Sequence, residues 1–212
     1  TQTGVIRKLS PAGTNILPSS DVKFGEQNIP SSGNAYSLPT QSMDGLCVDK
    51  DGFIYIYDSA YGKVYVYDKE CNMLNAFGGG LGYGKQDGLF VTSAAIDIID
   101  DDLLLIDSTK NSITVFTMTE YGKLLKQAQN MTLKGDYSNS KELWNQIYAQ
   151  DNNSQLALSG LAKAAYSEGD YHTAMEYAEE AYDRDTYSSA FQHVRTEFLH
   201  KYFGIIFGLA IV

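Results

Sequence analysis

Gly135-Asp136-Tyr137 and Gly169-Asp170-Tyr171 stand 34 residues apart, and the chain around them keeps the same offset. Ser140 answers Ala174, Trp144 answers Ala178, Ile147 answers Ala181 and Asp151 answers Asp185. Gly followed by Asp reads as a turn, so each tripeptide is expected between two helices. Leu124, Gln127, Ala128 and Met131 before the first turn match Leu158, Leu161, Ala162 and Ala165 before the second. Spacings of three and four put each set on one helix face. Thr119-Glu120 offers a hydroxyl cap and a first-turn acid to the first helix, and Ser154 can cap its counterpart. In the helix after Gly169-Asp170, Tyr171, Ala174, Ala178 and Ala181 form a row of mostly small residues that permits close helix crossing.

A 34-residue helix-turn-helix period is that of the tetratricopeptide repeat, which this segment resembles at its small and aromatic positions. It departs from that family with Ala162 where Gly is usual and Thr186 where Pro is usual. The resemblance implies two hairpins over 119–187 that present a surface to partners. The first helix of a third unit is expected from near Ser188, with Phe191, Val194, Phe198, Leu199 and Tyr202 at helical spacing. No Gly-Asp-Tyr turn follows it, and Tyr202–Val212 is an uncharged apolar run of eleven residues. Such a run predicts a truncated transmembrane segment over 188–212, since it covers about half of a ~30 Å hydrocarbon core at ~1.5 Å per residue. Arg195, His200 and Lys201 would then lie at the interface. A C-terminal helix docking on the rest of the protein is the plainer alternative.

Before about residue 118 the composition changes to short runs rich in Gly, Tyr, Val and Ile, which favour strands. Leu46–Val48, Phe53–Tyr57, Val64–Tyr67 and Met73–Phe77 read as successive strands separated by Asp-Gly, Tyr-Gly-Lys and Glu-Cys-Asn turns. Ile54-Tyr-Ile-Tyr-Asp58-Ser59 with Val64–Tyr67 is echoed 49 residues later by Leu103-Leu-Leu-Ile-Asp107-Ser108 with Ile113–Phe116. A strand-built unit repeated at that interval suggests propeller blades. Gly45-Leu-Cys-Val-Asp49, Asp51-Gly52-Phe-Ile-Tyr-Ile-Tyr-Asp58, Val64–Tyr67 and Phe77-Gly78 resemble, in order, a blade of the NHL family of β-propellers. The second blade carries Asp100-Asp101-Asp102 in place of the Asp-Gly turn and has no Phe-Gly after Phe116. Val5–Leu9, Gly13 and Phe24-Gly25 resemble the outer half of an earlier blade. The expected architecture is therefore α+β and multidomain: about two and a half blades of a partial β-propeller over 1–118, then tetratricopeptide-like hairpins. Two and a half blades cannot close a ring, so further blades before Thr1, and an N-terminal strand of the full protein pairing beside 112–117, are expected.

Net charge is −10. Eight basic against fourteen acidic residues give −6 for residues 1–118, and eight against twelve give −4 for the remainder. Without a cluster of Lys and Arg, nucleic acid is not an expected partner. Cys47 and Cys71 do not suggest a disulfide framework or a metal site. Gly79–Gln86 nearly matches a phosphate-binding loop, but Gln86 lacks the hydroxyl that coordinates magnesium and no helix is expected to follow. An inter-blade connection using positive φ is the better reading. Asp100, Asp101 and Asp102 offer the hard oxygens that calcium takes, against the plainer reading of a solvated hairpin. Asp58 and Asp107, ending equivalent strands, are expected to cap the turns that follow.

His172, His193 and His200 all fall in the helical half, and no nucleophile arrangement accompanies them. No catalytic, cofactor or metal residue is therefore expected. The aromatics are the better lead, with sixteen tyrosines in the chain. In the helical half Tyr137, Trp144, Tyr148, Tyr166, Tyr171 and Tyr177 are the candidates for partner contact. The function expected is a membrane-anchored scaffold with a propeller recognition domain and a helical-repeat arm. Its rivals are the tail of a lactonase-like or lyase-like propeller enzyme with metal ligands in other blades, and a subunit of a large membrane assembly. Sparse Lys and Arg with abundant Tyr, Asn, Ser and Gly favour an extracytoplasmic soluble part, whereas the basic residues before the apolar run argue the other way.

Overall fold

The computed structural model of the chain describes residues 6–17, 24–26, 41–79, 88–90 and 93–211. The chain divides into two compact units, Thr1–Met118 and Thr119–Val212. Among the described residues the first holds two antiparallel sheets and the second five helices, an α+β combination.

Strands β1 (Met43–Val48), β2 (Ile54–Asp58), β3 (Lys63–Tyr67) and β4 (Met73–Gly78) form a four-stranded meander, and β5 (Ser93–Ile99), β6 (Asp102–Asp107) and β7 (Ser112–Phe116) form a three-stranded one. The 49-residue echo is an echo of register. Ile54 pairs with Tyr67 and Asp58 with Lys63, as Leu103 pairs with Phe116 and Asp107 with Ser112. Both first strands shift register at matching places, between Met43 and Gly45 and between Ser93 and Ala95. The second sheet has the tighter first hairpin. Ile99 pairs with Asp102, so Asp100 and Asp101 make a two-residue turn with Asp100 at φ 56°, a conformation Asp tolerates better than most residues.

Aspartates close the strands. Asp58 accepts the backbone N–H of Ala60 at 2.9 Å and of Ser42 at 3.0 Å, and Asp107 accepts those of Thr109 and Lys110 at 2.9 Å. Both are buried, and both cap the following turn as expected. Asp68 does the same after β3, accepting from Glu70 and Asn72.

Alternation along β2 and β3 gives the first sheet two apolar faces. Ile56, Tyr65 and Tyr67 pack on one side with Ile6, Phe24, Met43 and Ile54. There the Gly25 N–H donates to the Tyr67 hydroxyl at 2.7 Å, and the Phe24 ring meets Tyr67 edge-on at 5.1 Å. On the other side Tyr57 meets Phe90 and Phe77 meets Phe116. Gly45 lies so close to β5 that an added Cβ would stand 2.6 Å from Ile96 Cγ2. Among the described residues the first sheet is thus covered on both faces, but the second only on one. Val64 is fully buried while its counterpart Ile113 is 59% exposed, and Ile106 and Val115 are exposed beside it.

The helices are α1 (Glu120–Leu133), α2 (Tyr137–Gln150), α3 (Gln155–Ser167), α4 (Tyr171–Glu180) and α5 (Arg184–Ile211). Thr119 and Ser154 are the N-caps of α1 and α3. Each Gly-Asp-Tyr is a complete stop and start. Gly135 and Gly169 take positive φ just past a helix end, while the Asp136 and Asp170 N–H groups donate back to the carbonyls of Met131 and Ala165. Asp136 and Asp170 then cap the next helix, and the Tyr is its first residue. Successive helices pack together, and α3 also touches α1 and α5, so the odd-numbered helices lie side by side.

Packing follows the small residues. Leu158, Leu161, Ala162 and Ala165 are buried on α3, Ala174 and Ala178 on α4, and Ala181 just past the end of α4. In α1 the buried residues are Leu125, Ala128 and Thr132, with Gln127 exposed. The expected set of Leu124, Gln127, Ala128 and Met131 is therefore corrected by about a third of a turn at its start.

Helix α5 departs further from the sequence reading. It begins at Arg184, ahead of the expected Ser188, because α4 stops after ten residues. Tyr182, at φ 56°, donates its N–H to Glu179, and the Asp183 N–H reaches Ala178, so Tyr182 fills the slot held by glycine in the other two turns. Among the described residues no helix is long and apolar enough to cross a membrane. Arg184, Asp185, Arg195, Glu197 and Lys201 are spread along α5, leaving an uncharged stretch too short for a span. This overturns the expected membrane attachment through the C-terminal helix, and with it the interfacial roles of Arg195, His200 and Lys201.

Candidate functional site

Three rings from three helices meet at the rim of the helical unit. Ala165, Ala174 and Ala190 form the interior where α3, α4 and α5 meet. One residue beyond Ala165, a turn of about 100° carries Tyr166 out of that interior to its edge. Tyr171 opens α4 beside it, and His193, one turn beyond Ala190, completes the group from α5. The Tyr171 and His193 rings stack at 4.3 Å with 7° between planes. Tyr166 meets both edge-on, at 5.5 Å from Tyr171 and 5.7 Å from His193. Its hydroxyl lies 3.2 Å from His193 Nε2, and donates when that nitrogen is unprotonated.

Both tyrosines are half-buried and His193 is exposed. The cluster therefore presents fixed aromatic faces and edges, a phenol oxygen and an imidazole to the surroundings. Rings can stack on it, a cation can sit over the tyrosine faces, and peptide groups can hydrogen-bond to it. The nearby Lys141–Glu168 ion pair, at 2.6 Å, ties α2 to the end of α3. Asp170 is held below the usual carboxylate range by hydrogen bonds from Thr173.

Of the six aromatics singled out from the sequence, the structure brings Tyr166 and Tyr171 together. Tyr137, Tyr148 and Tyr177 are half-buried elsewhere on α2 and α4. Trp144 is corrected from partner contact to core. It is fully buried, and its indole N–H donates to Thr132 Oγ1 at 2.9 Å. His193 escaped the sequence reading because it stands 27 residues from Tyr166, off the 34-residue offset.

A second polar knot joins α3 to the start of α5. Asp183 accepts from Ser159 Oγ at 2.7 Å, Thr186 Oγ1 at 2.9 Å and Thr186 N–H at 3.1 Å. Burial by itself would raise its pKa, but these hydrogen bonds, with Lys163 nearby, hold it below the ordinary value. Its role is to cap α5 and to anchor it.

In the sheet unit Asp58 Oδ2 and the Tyr65 hydroxyl are buried without a hydrogen-bond partner among the described residues. Burial raises the pKa of both groups. Cys47 is pushed up to about 12 by burial, then by Asp97 and Asp49, so its thiol is not a ready nucleophile near neutrality. Asp101 forms an exposed ion pair with Lys50 at 2.9 Å. Among the described residues no group of three or more His, Cys, Asp or Glu is placed to hold a metal ion. The glycine-rich stretch after Gly79 that nearly matches a phosphate loop lies outside the described residues.

No family model matches the chain, and no curated protein matches it. The NHL and tetratricopeptide resemblances rest on the residues of this chain alone.

Proposed function

We propose that the chain is a protein-interaction scaffold, with a propeller-type sheet segment joined to an arm of two tetratricopeptide-like hairpins whose aromatic rim engages a protein partner. The Tyr166–Tyr171–His193 cluster carries this reading. Large rings held in place before binding lose little freedom on contact, which is why aromatic anchors dominate protein interfaces. The propeller part draws its support from matching register in the two meanders, from their face-to-face stacking and from the closeness of their first strands, β1 and β5. The side-by-side odd-numbered helices and the two Gly-Asp-Tyr turns support the hairpin arm.

The test is site-specific photocrosslinking in cells. A photoreactive residue at Tyr166 is expected to give one discrete adduct with another protein, and the same residue at exposed Gln146 on α2 none. Equal labelling at both positions, or no adduct at Tyr166, would count against the proposal.

A further inference from the structure

We propose that α5 pairs antiparallel with α5 of a second copy of this chain. Helix α1 has α2 as its hairpin partner and α3 has α4, whereas α5, among the described residues, packs mainly on α4 and more lightly on α3. Bordering that contact it carries Tyr187, Phe191, Val194, Phe198 and Tyr202 at spacings of four, three, four and four, with Phe191 and Phe198 exposed and the other three half-buried, one continuous stripe along a helix. Phe191 is 44% and Phe198 54% exposed, against 0% for Ala190 on the covered side. Tyr187 stacks on Phe191 at 6.3 Å and Phe198 leans on Tyr202 at 4.8 Å, so the stripe is ordered in advance. With 28 residues, α5 is about 42 Å long at ~1.5 Å per residue and outruns the ten-residue α4.

Charge selects the occupant. Glu197 and Lys201 sit one turn apart on the same flank of the stripe. In an antiparallel pair crossing near Phe198 the same flanks face each other, so Glu197 of each copy reaches Lys201 of the other. A parallel pair, in which opposite flanks face each other, would leave Glu197 and Lys201 without these partners. Two-fold symmetry also brings Phe198 onto its own counterpart at the crossing point. The pairing uses only the helical unit and does not depend on what the aromatic rim binds.

Sedimentation velocity on the whole chain between about 1 and about 100 μM tests it. The chain is expected to dimerise, and Phe198→Glu to be monomeric with unchanged helical circular dichroism. Glu197→Lys or Lys201→Glu alone should weaken association about tenfold, and the two together should restore it. Oxidation should join two copies of Phe198→Cys and leave His200→Cys, on the far side of the helix, unjoined. A monomer throughout this range, a dimer indifferent to Phe198→Glu, a double reversal as weak as either single change, or crosslinking at position 200 alone would overturn the proposal.

Discussion

The indole of Trp144 fills the space where a side chain on Gly160 would stand: a Cβ built on Gly160 lies 2.4 Å from the ring's Nε1 and Cε2 atoms. A glycine inside α3 sacrifices helix propensity, and here that sacrifice lets α2 bring its largest residue against the α3 backbone. Gly160→Ala should therefore destabilise the helical unit by about 1–3 kcal/mol despite alanine's better propensity. Combining it with Trp144→Phe should recover part of the loss. Trp144 is the chain's only tryptophan, so its fluorescence reports unfolding of the helical unit for Gly160→Ala, with Phe-containing variants followed by circular dichroism. A Gly160→Ala chain as stable as wild type would refute the packing assignment.

Tyr182 occupies a glycine slot. A left-handed backbone costs a non-glycine residue roughly 1–2 kcal/mol, and Tyr182 is 80% exposed, so little packing repays that strain. Tyr182→Gly should raise stability by about 0.5–1 kcal/mol after the added freedom of the unfolded chain is counted. Gly169→Ala, at φ 81° in the equivalent turn, should lower it by about 1 kcal/mol. Urea midpoints moving in the same direction for both would contradict the turn assignment.

Asp183 links stability to acid. Its folded pKa is lowered, so its contribution is present above the unfolded carboxylate value of about 3.9 and is lost as pH falls through the folded value. Asp183→Ala should cost about 2 kcal/mol at pH 7, through the lost cap and the Ser159 bond. The gap from wild type should narrow below about pH 4. A pH-independent gap in urea unfolding would show that charge is not involved.

Asp58 runs the opposite way. Burial raises its folded pKa, so the folded state keeps a proton the unfolded chain has released, and its contribution worsens as pH rises from the ordinary carboxylate value through the raised one. Asn keeps an acceptor for the Ser42 and Ala60 N–H groups without the buried charge. The stability of Asp58→Asn relative to wild type should therefore rise between about pH 3 and pH 7. Hydrogen exchange of the β2 and β3 amides reads this directly, and a falling ratio would contradict it.

Local rules made much of the fold legible. Gly135, Gly169, Asp136, Asp170, Thr119 and Ser154 each act through their own few neighbours, and their roles follow from residue type. Repetition revealed β6 and β7, because residues 49 apart meet the same register. Strand β5 stayed hidden because Ser-Ala-Ala-Ile-Asp-Ile-Ile does not alternate cleanly. The early start of α5 was obscured by Tyr182, a residue type that seldom ends a helix in the left-handed region. Trp144 read as a contact residue because nothing local shows that Gly160 opens a space for it. His193 joins Tyr166 and Tyr171 only through tertiary packing, which the repeat offset does not encode.

The scaffold reading stands on the aromatic rim, and the direct test is calorimetric titration of the protein crosslinked at position 166 against wild type and variants. Tyr166→Ala or Tyr171→Ala should weaken binding at least about tenfold, the ~1.4 kcal/mol or more expected of an interface anchor, while Gln146→Ala should leave it within about twofold. Unchanged affinity on removal of either tyrosine would contradict the account.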